Sequence, residues 1–294
     1  MKNHPKVVVL GLGYIGYELC KIYSYENAIV IDNQFNPTRV SDISEMGVRF
    51  YQRDIFDTKD LIKDADILYN TISITSVPQC KKDSNELIDK LIYKIGVEGN
   101  HYVMDNISDV CRLVFLSTHV IYEGCNKKDI KENDNPCPVL AYSISKRLSE
   151  IDLIQSSKNW VIGRLGSSFG WNPAIRMPIV TNIFAKMAAI DKKIKLTNKN
   201  CYKPVAGTED IARALVYIAE LNNEKEIYHI VKDNIKVGDI AAICKNCVPD
   251  LEIEDSGGDN EGYTLSNNKL LRIGYKFRQT IDAEIYKMIK RWSV

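Results

Sequence analysis

A tyrosine and a lysine stand four residues apart in the segment YSISKRLSEIDLI, at Tyr142 and Lys146. The apolar residues of this segment recur at helical spacing, and side chains at positions i and i+4 of an α-helix share one face. An ammonium beside a phenol stabilises the phenolate, because an opposite charge favours the ionised form. Such a pair can donate and accept a proton near neutral pH. The spacing alone is a weak signal, since tyrosine and lysine also share many exposed helix faces.

A second chemical signature follows the first apolar run of the chain. Lys6–Leu10 reads KVVVL, which is typical of a strand buried on both faces of a parallel sheet. It leads into a GxGxxG pattern at Gly11, Gly13 and Gly16, followed by an amphipathic helix predicted over Tyr14–Tyr25. In this pattern the first glycine permits a tight turn, the second lets a pyrophosphate approach the backbone, and the third allows close helix packing. The phosphates would lie at the helix N-terminus.

An acidic residue ends the second predicted strand. Ala28–Ile31 is apolar and is followed by Asp32. A carboxylate at this point accepts hydrogen bonds from ribose hydroxyls and repels a 2′-phosphate. The sequence therefore favours NAD over NADP, although Arg39 or Arg53 nearby could pair with such a phosphate.

Further short apolar strands alternate with helical stretches. They are predicted at Val48–Tyr51, Asp66–Tyr69, Arg112–Leu116 and Trp160–Leu165. This alternation predicts an α/β fold with a Rossmann-type doubly wound parallel sheet. Ligands of such sheets bind beyond the carboxyl ends of the strands, so Thr118 stands where chemistry is expected.

The character of the chain changes after the sixth strand. A loop-rich stretch is followed by an apolar helix, a basic run, and a helix that Thr208 is expected to cap. We expect residues 1–165 to form the NAD-binding domain, with residues 205–235 returning to it. Residues 166–204 and 236–294 are expected to form a smaller C-terminal substrate-binding lobe.

Composition excludes several classes of protein. Of 294 residues, 45% are hydrophobic and 26% are charged, and the net charge is +1. This balance gives no reason to expect nucleic acid or an anionic membrane surface as a partner. No apolar run approaches the roughly 18 residues that span a bilayer. Glycines interrupt the N-terminal apolar run, which argues against a signal peptide and for a cytoplasmic location.

The cysteines show no metal-binding pattern. They stand at positions 20, 80, 111, 125, 137, 201, 244 and 247. Without a secretory signal, reduced thiols are expected. Cys244 and Cys247 form a single CxxC with no second pair or suitably spaced histidines, so we expect structural cysteines and no metal.

Taken in order, the segments resemble the extended short-chain dehydrogenase/reductase family, whose members mostly act on nucleotide sugars. The resemblance covers nearly the whole chain and is carried by GLGYIG, LSTHVIY, PVLAYSISKRLSE, GRLGSSFG, PVAGTEDIARAL and LSNNKLLRIGY. It implies NAD as the cofactor and a nucleotide-diphosphate sugar as the substrate. It also implies a homodimer formed through the helices at Ser84–Asn106 and Tyr142–Ser156.

The resemblance implies a role for individual residues. Thr118 would hydrogen-bond the substrate carbonyl or hydroxyl, Tyr142 would pass the proton, and Lys146 would lower the pKa of Tyr142 and hold the nicotinamide ribose. Thr75, His119 and Lys203 would contact the substrate. The implied cofactor-binding residues are Gly11, Gly13, Tyr14, Ile15, Gly16, Asp32, Asn33, Asp54, Ile55, Asn70, Tyr142 and Lys146.

The resemblance also narrows the reaction. The 4,6-dehydratases of the family carry an Asp-Glu pair directly after the active-site threonine, and its decarboxylases carry a glutamate there, whereas this chain has His119 and Val120. The pattern is closest to the dTDP-4-dehydrorhamnose reductases, so a 4-keto-sugar reductase is the first hypothesis. An NAD-retaining 4-epimerase, which IDN at Ile31–Asn33 resembles, is the second. A non-catalytic NAD(P)-binding regulator of the same fold is the third.

Three positions do not identify which sugar is the substrate. Gly96 stands where the family often has asparagine, and Lys203 stands in place of its usual arginine near the substrate phosphate. His119 is either a second acid or base beside the sugar or a packed histidine at the end of a strand.

Overall fold

A parallel sheet forms the centre of the computed structural model, which describes residues 5–24, 27–75, 86–125, 127–221 and 225–293. Within these ranges the strands are β1 (Val7–Leu10), β2 (Ala28–Asp32), β3 (Arg49–Gln52), β4 (Ile67–Asn70), β5 (Arg112–Thr118), β6 (Trp160–Leu165), β7 (Ser167–Phe169), β8 (Lys193–Leu196), β9 (Tyr202–Gly207), β10 (Glu226–Ile230), β11 (Asp233–Lys236) and β12 (Glu252–Asp255).

The helices alternate with these strands along the chain. In the same ranges they are α1 (Tyr14–Ile22), α2 (Pro37–Glu45), α3 (Lys59–Ile62), α4 (Glu86–Tyr93), α5 (Gly99–Asn106), α6 (Ala141–Gln155), α7 (Val180–Ile190), α8 (Thr208–Ala219), α9 (Val237–Cys247), α10 (Asn268–Arg272) and α11 (Ile281–Trp292). None of the helices in the described part of the chain is both long and apolar enough to cross a membrane.

The strand order identifies a doubly wound sheet. Across the seven-stranded sheet the order is β3-β2-β1-β4-β5-β6-β10, and every neighbouring pair is parallel. The order reverses direction between β1 and β4, and a crevice for ligands opens at the carboxyl ends of the strands there. The predicted fold class is confirmed.

The first strand shows why the apolar runs are continuous. Val7 and Val9 pack into the core on one face of the sheet, while Val8 and Leu10 pack into the core on the other face. A strand covered by helices on both faces needs apolar side chains in both directions. For this reason KVVVL lacks the alternation of a half-exposed strand.

A separate core lies in the C-terminal part of the chain. It joins α7, α9 and α11 through residues such as Phe184, Ile240 and Ile285. A three-stranded sheet (β11-β9-β7) and a two-stranded sheet (β12-β8) belong to this region. β10 lies in the central sheet beside β6. The exact domain limits stay a prediction.

Some local predictions differ from the structure. The helix expected to be capped by Thr208 begins at that residue, and Gly207 holds the cap position without a side-chain cap. The helical region predicted from Ser84 to Asp105, with possible breaks at Gly96 and Gly99, contains a π-helical turn at Lys94–Glu98. Ser84 itself lies outside the described residues.

Candidate active site

The glycine turn between β1 and α1 leaves space on one side only. Gly11 has φ of +100°, and a Cβ atom there would lie 2.7 Å from Thr71 Oγ1. A Cβ at Gly16 would lie 1.9 Å from the Gly11 carbonyl oxygen, so Gly16 permits the helix to pack on the turn. At Gly13, by contrast, a Cβ would meet no atom within 4 Å. The backbone at Gly13 is therefore open to a ligand such as a pyrophosphate.

The carboxylate of Asp32 fixes this turn. Its Oδ2 accepts a hydrogen bond from the Leu12 amide at 2.7 Å, and its Oδ1 accepts one from the Gln34 amide at 2.8 Å. Arg39 Nη1 donates to the Leu12 carbonyl at 2.9 Å. The acidic side chain expected at the ribose and a guanidinium able to pair with a phosphate thus flank the same turn.

The remaining predicted cofactor residues lie at or just after the carboxyl ends of β2, β3 and β4. Asn33 follows Asp32 and is exposed. Asp54 Oδ1 accepts a hydrogen bond from the Phe56 amide at 3.1 Å, and Ile55 is buried. Asn70 is buried at the end of β4, where its Oδ1 has no partner among the described residues. None of these four residues is among the described residues that line the cavity at the carboxyl ends of the central strands.

A cavity of about 830 Å³ opens at the carboxyl ends of the central strands. Thr118, Tyr142 and Lys146 line it together with Gly13 and the start of α1. The three side chains predicted to be catalytic come from the end of β5 and the first turns of α6. The fold brings them to the cavity that the glycine turn borders.

Thr118 ends β5 and caps the turn that follows. Its Oγ1 accepts a hydrogen bond from the Val120 amide at 3.1 Å, and the residue is 6% exposed. The hydroxyl proton is not used in this cap, so it remains available for a second bond towards the cavity.

Lys146 is enclosed at the base of the cavity. Its Nζ donates to the Leu116 carbonyl at 2.7 Å and lies 4.7 Å from the centroid of the Phe115 ring. Burial lowers the pKa of Lys146 to about 7, while the negative charge of Glu150 opposes that shift. The charge of this ammonium therefore depends on what binds beside it.

A buried ion pair fixes the rotation of α6. Arg164 on β6 donates through Nε and Nη2 to the two carboxylate oxygens of Glu150, at 2.9 and 2.8 Å. Glu150 follows Tyr142 and Lys146 at successive intervals of four residues, so the three side chains share one helix face. Holding Glu150 against β6 directs that face towards the sheet and the cavity.

A glutamate that sequence reasoning missed holds the start of α6. Glu123 Oε1 accepts hydrogen bonds from the Val139 and Leu140 amides at 3.0 and 2.7 Å, and from Ser143 Oγ at 2.7 Å. A carboxylate at a helix N-terminus satisfies free amides and complements the helix dipole. Glu123 thereby positions the turn that carries Tyr142.

His119 is a buried, hydrogen-bonded residue. Its Nδ1 lies 2.7 Å from Tyr263 Oη and its Nε2 lies 2.9 Å from Ser167 Oγ. The Tyr263 hydroxyl donates to the His119 carbonyl at 3.0 Å. Burial lowers the pKa of His119 to about 3, so the imidazole is neutral near pH 7. His119 also lines the cavity described above, so its predicted contact with the substrate stays a prediction, while the partners of both ring nitrogens agree with a packed histidine.

Two cationic side chains from the C-terminal part of the chain line the cavity. Lys203 was predicted there, whereas Arg176 was not. Arg176 Nη2 donates to the carbonyl of Thr75, which was also predicted and also lines the cavity. The part of the cavity that these two cations line is therefore suited to an anionic group.

Tyr14 connects the glycine turn to the C-terminal part of the chain. Its hydroxyl donates to the Gly170 carbonyl and accepts a hydrogen bond from Asn182 Nδ2 at 3.1 Å. Asn172 Nδ2 donates to the Tyr14 carbonyl at 3.0 Å. Burial raises the pKa of Tyr14, so the phenol stays protonated as this bond requires.

Two of the cysteines differ from the expectation of reduced thiols. Cys125 and Cys137 form a disulfide in the loop between β5 and α6, so that expectation is wrong for this pair. Cys244 and Cys247 are free thiols on α9. Within the described ranges, no cluster of histidine, cysteine and acidic residues is suited to a metal ion.

Comparison with known proteins identifies the family. The family model described as the RmlD substrate binding domain matches residues 11–242. The chain belongs to this family, and the resemblance to the extended short-chain dehydrogenase/reductases is confirmed.

One protein is similar to the chain in sequence, and two solved structures are similar to it in fold. The spore coat polysaccharide biosynthesis protein SpsK of Bacillus subtilis (strain 168) is 24% identical over 240 residues, which are 78% of this chain and 74% of that protein. The structure of UDP-glucuronic acid 4-epimerase from Bacillus cereus in complex with NAD has a TM-score of 0.82 at 17% identity, covering 98% of this chain and 99% of that chain. DesIV, a dTDP-glucose 4,6-dehydratase from Streptomyces venezuelae with NAD bound, has a TM-score of 0.81 at 18% identity, covering 97% and 96%.

Proposed function

We propose that the chain is an NAD(H)-dependent nucleotide-sugar oxidoreductase and, as the first candidate, a 4-keto-sugar reductase. The observation that supports this most is the shared cavity of Thr118, Tyr142 and Lys146, bordered by the open backbone at Gly13. Proteins of the same fold named as UDP-glucuronic acid 4-epimerase and dTDP-glucose 4,6-dehydratase support a nucleotide sugar as the substrate.

The residues of this chain fit a dinucleotide. When bound, NAD(H) supplies hydride chemistry at its nicotinamide ring. The turn at Gly11, Gly13 and Gly16 and the free amides of α1 would hold the pyrophosphate. Asp32 would accept from the adenosine ribose, and Asp54 with Ile55 would contact the adenine. The proximity of Arg39 to the same turn leaves NADP as the less favoured alternative.

Side chains of the protein would bind the reacting carbonyl group and transfer the proton to it. The Thr118 hydroxyl would donate a hydrogen bond to the carbonyl oxygen of the keto sugar, and Tyr142 would deliver its proton to that oxygen. The Lys146 ammonium would stabilise the phenolate that remains and hold the nicotinamide ribose. Lys203 and Arg176 would bind the diphosphate, because both cations line the cavity.

The second candidate is an NAD-retaining 4-epimerase. It is favoured by the IDN sequence at Ile31–Asn33 and by the likeness in fold to an enzyme named as a 4-epimerase. A non-catalytic regulator is less well supported, because a sensor does not need Thr118, Tyr142 and Lys146 in one cavity.

We also propose a homodimer. Apolar side chains are exposed on the described residues of α4 and α6, among them Leu87 (72%), Leu91, Ile144 and Leu148. Exposed apolar side chains on adjoining helices are suited to a contact between two copies of the chain.

The candidates are separated by the fate of the cofactor. Purified protein is assayed for bound NAD, and then for NADH consumption with dTDP- and UDP-linked 4-keto sugars. Loss of one NADH per sugar reduced indicates a reductase. Tightly retained NAD with interconversion of 4-epimers indicates an epimerase, because its hydride returns to the sugar in each cycle. Bound NAD without turnover of any sugar indicates the regulator.

Tyr142→Phe tests the proposed chemistry. Without its phenolic proton, turnover should fall about 10²–10⁴-fold. The affinity for NAD should change little, since the ring and Lys146 remain. Tyr286→Phe is the matched control, because Tyr286 is 53% exposed on α11, outside the residues that line the cavity. Full activity of Tyr142→Phe would remove Tyr142 from the reaction.

A further inference from the structure

Two segments of the loop between β5 and α6 lie side by side next to the cavity. The Gly124 amide donates to the Cys137 carbonyl at 3.0 Å, and the Cys137 amide donates to the Ile121 carbonyl at 2.9 Å. A Cβ atom at Gly124 would lie 2.6 Å from the Cys137 carbonyl oxygen, so the close approach needs glycine. The Cys125–Cys137 disulfide joins the same two segments. We name residues 121–125 and 137–143 the clasp.

The clasp ends at the catalytic helix. Glu123, two residues before Cys125, lines the cavity and accepts the bonds from Val139, Leu140 and Ser143 that fix the start of α6. Whatever holds the two segments together therefore also holds Glu123 beneath the turn that carries Tyr142.

The two cysteines of the disulfide are more exposed than most other cysteines among the described residues. Cys137 is exposed and Cys125 is half-buried, whereas the free cysteines at positions 20, 111, 201 and 244 are buried. The Asn135 carbonyl oxygen lies 3.6 Å from Cys125 Sγ and 3.7 Å from Cys137 Sγ. This carbonyl can accept a weak hydrogen bond from either thiol, so the reduced pair also has a partner in place.

We propose that Cys125 and Cys137 form a thiol–disulfide exchange site that takes a low-molecular-weight thiol or dithiol and sets the order of the catalytic helix. The effect on turnover rests on the proposed function. The exchange itself and the ordering of the helix do not.

Reduction of the disulfide consumes two thiol groups of the reductant. A thiolate of the reductant attacks Sγ of Cys137, which is an exposed residue, the S–S bond breaks, and Cys125 leaves as a thiolate that takes up a proton. The second thiol attacks the reductant sulfur of the mixed disulfide and releases Cys137 as a thiol. The reductant is oxidised to its disulfide, and the protein gains two S–H groups.

The closed disulfide limits opening of the clasp. It restricts a loop with a sequence separation of 12. For a loop of this length, loss of chain entropy makes the open state about 100-fold less populated. Reduction leaves the backbone bonds and Glu123 to hold the segments, so opening becomes more frequent.

Hydrogen exchange tests the site without reference to turnover. Oxidised protein is mapped by mass spectrometry of unreduced peptides, which should join Cys125 to Cys137. Amide protection of Gly124, Cys137 and Leu140 is then measured with and without dithiothreitol. Protection should fall by up to about 100-fold on reduction. Unchanged protection, or pairing of either residue with another cysteine such as Cys80, would overturn the proposal.

Two variants separate this pair from the other thiols. Cys247→Ser, which changes a partly exposed cysteine on α9, should keep the response to dithiothreitol. Cys125→Ser/Cys137→Ser should show the reduced level of protection under both conditions. A double variant that still responds would assign the effect elsewhere. If the double variant does not fold, the comparison of oxidised with reduced native protein decides alone.

Turnover distinguishes the regulatory claim from the proposed function. Reduction should lower kcat about tenfold with little change in the Kd for NAD. The disturbed segment is the first turn of α6, which carries Tyr142, whereas the glycine turn proposed to bind the pyrophosphate is not disturbed. Equal kcat in both states with altered protection would refute control of turnover. Absence of any turnover would contradict the proposed function, while the exchange data would still decide the site.

Discussion

The Glu150–Arg164 pair offers the most direct test of how the site is held. Glu150→Gln keeps the shape of the side chain but removes its charge. Arg164, 1% exposed, would then face a neutral amide and retain the Tyr122 hydroxyl and the Glu132 carbonyl as acceptors. The guanidinium would lose its counter-ion while remaining enclosed.

The expected cost follows from burial. Glu150 is 0% exposed and accepts two charge-assisted bonds at 2.9 and 2.8 Å. Breaking such a pair by removing one partner lowers the free energy of unfolding by about 3–5 kcal/mol. Arg164→Met should cost less, about 2–3 kcal/mol, because Glu150 retains an ion pair at 3.0 Å with Arg147, whose side chain is 27% exposed.

Urea unfolding monitored by tryptophan fluorescence and circular dichroism measures these losses. Lys90→Ala is the control, because Lys90 pairs with Glu86 at 2.7 Å while the two side chains are 70% and 82% exposed. An exposed pair of this kind contributes about 0.5 kcal/mol or less. In the double variant Glu150→Met/Arg164→Met, the loss should be at least about 2 kcal/mol smaller than the sum of the losses measured for Glu150→Met and Arg164→Met separately.

A loss below about 1 kcal/mol in Glu150→Gln would refute the reasoning, because an enclosed guanidinium cannot lose its counter-ion at so small a cost. Additive losses in the double variant would show that the two side chains act independently, and Glu150 would then not fix the rotation of α6.

Two further measurements address the glycine turn and His119. Gly16→Ala should lower the free energy of unfolding by about 1–3 kcal/mol, because its Cβ would lie 1.9 Å from the Gly11 carbonyl oxygen. Gly13→Ala, where space is open, should fold normally but bind NAD at least about tenfold more weakly in a fluorescence titration; the reverse ranking would contradict the assignment of the turn. For His119, burial lowers the pKa from 6.5 to about 3, so the unfolded chain binds a proton that the folded protein excludes. Stability is therefore lost as the pH falls below about 6.5, by about 2 kcal/mol at pH 5. His119→Gln should lack that part of the acid loss in urea unfolding at pH 7.5 and pH 5, and an equal loss in both proteins would refute burial of a neutral imidazole.

Strands and helices with strong local signals were predicted closely. β6 begins and ends at the predicted residues, Trp160–Leu165, and α1 begins at the predicted Tyr14. β5 extends past the predicted end at Leu116, because Ser117 and Thr118 pair with β6. Pairing rather than apolar character keeps these two residues extended, and pairing is not visible in one segment alone.

Other elements carried weak or unused signals. Helix α2 was missed because it is mostly polar, although Pro37 at its first turn and Asn36, which accepts from the Arg39 amide at 3.1 Å, are typical of a helix start. β12 is exposed along its length and pairs with β8, which is distant from it in the sequence. β8 does alternate, with exposed lysines and buried Ile194 and Leu196, but this short strand was interpreted as part of a basic run. β12 has no alternation of buried and exposed residues from which it could have been predicted.

The site was predictable where one local motif carried each residue. Thr118, Tyr142 and Lys146 meet at the cavity because each follows a recognisable strand or opens a recognisable helix. The partners that hold the site come from distant segments: Tyr263 lies 144 positions from His119 in the sequence. The Cys125–Cys137 bond likewise depends on tertiary proximity, which cysteine spacing does not specify.

The bonds of Tyr14 have a consequence for how ligands enter. Its hydroxyl and carbonyl, both in buried contacts, are held by Gly170, Asn182 and Asn172, and Asn172 Nδ2 also donates to Glu18 Oε1 at 2.8 Å. A hinge that swung the C-terminal part away from α1 would have to break all of these bonds in every cycle. The two parts should therefore move as one rigid body, and substrate exchange should pass through rearrangement of loops at the rim of the cavity.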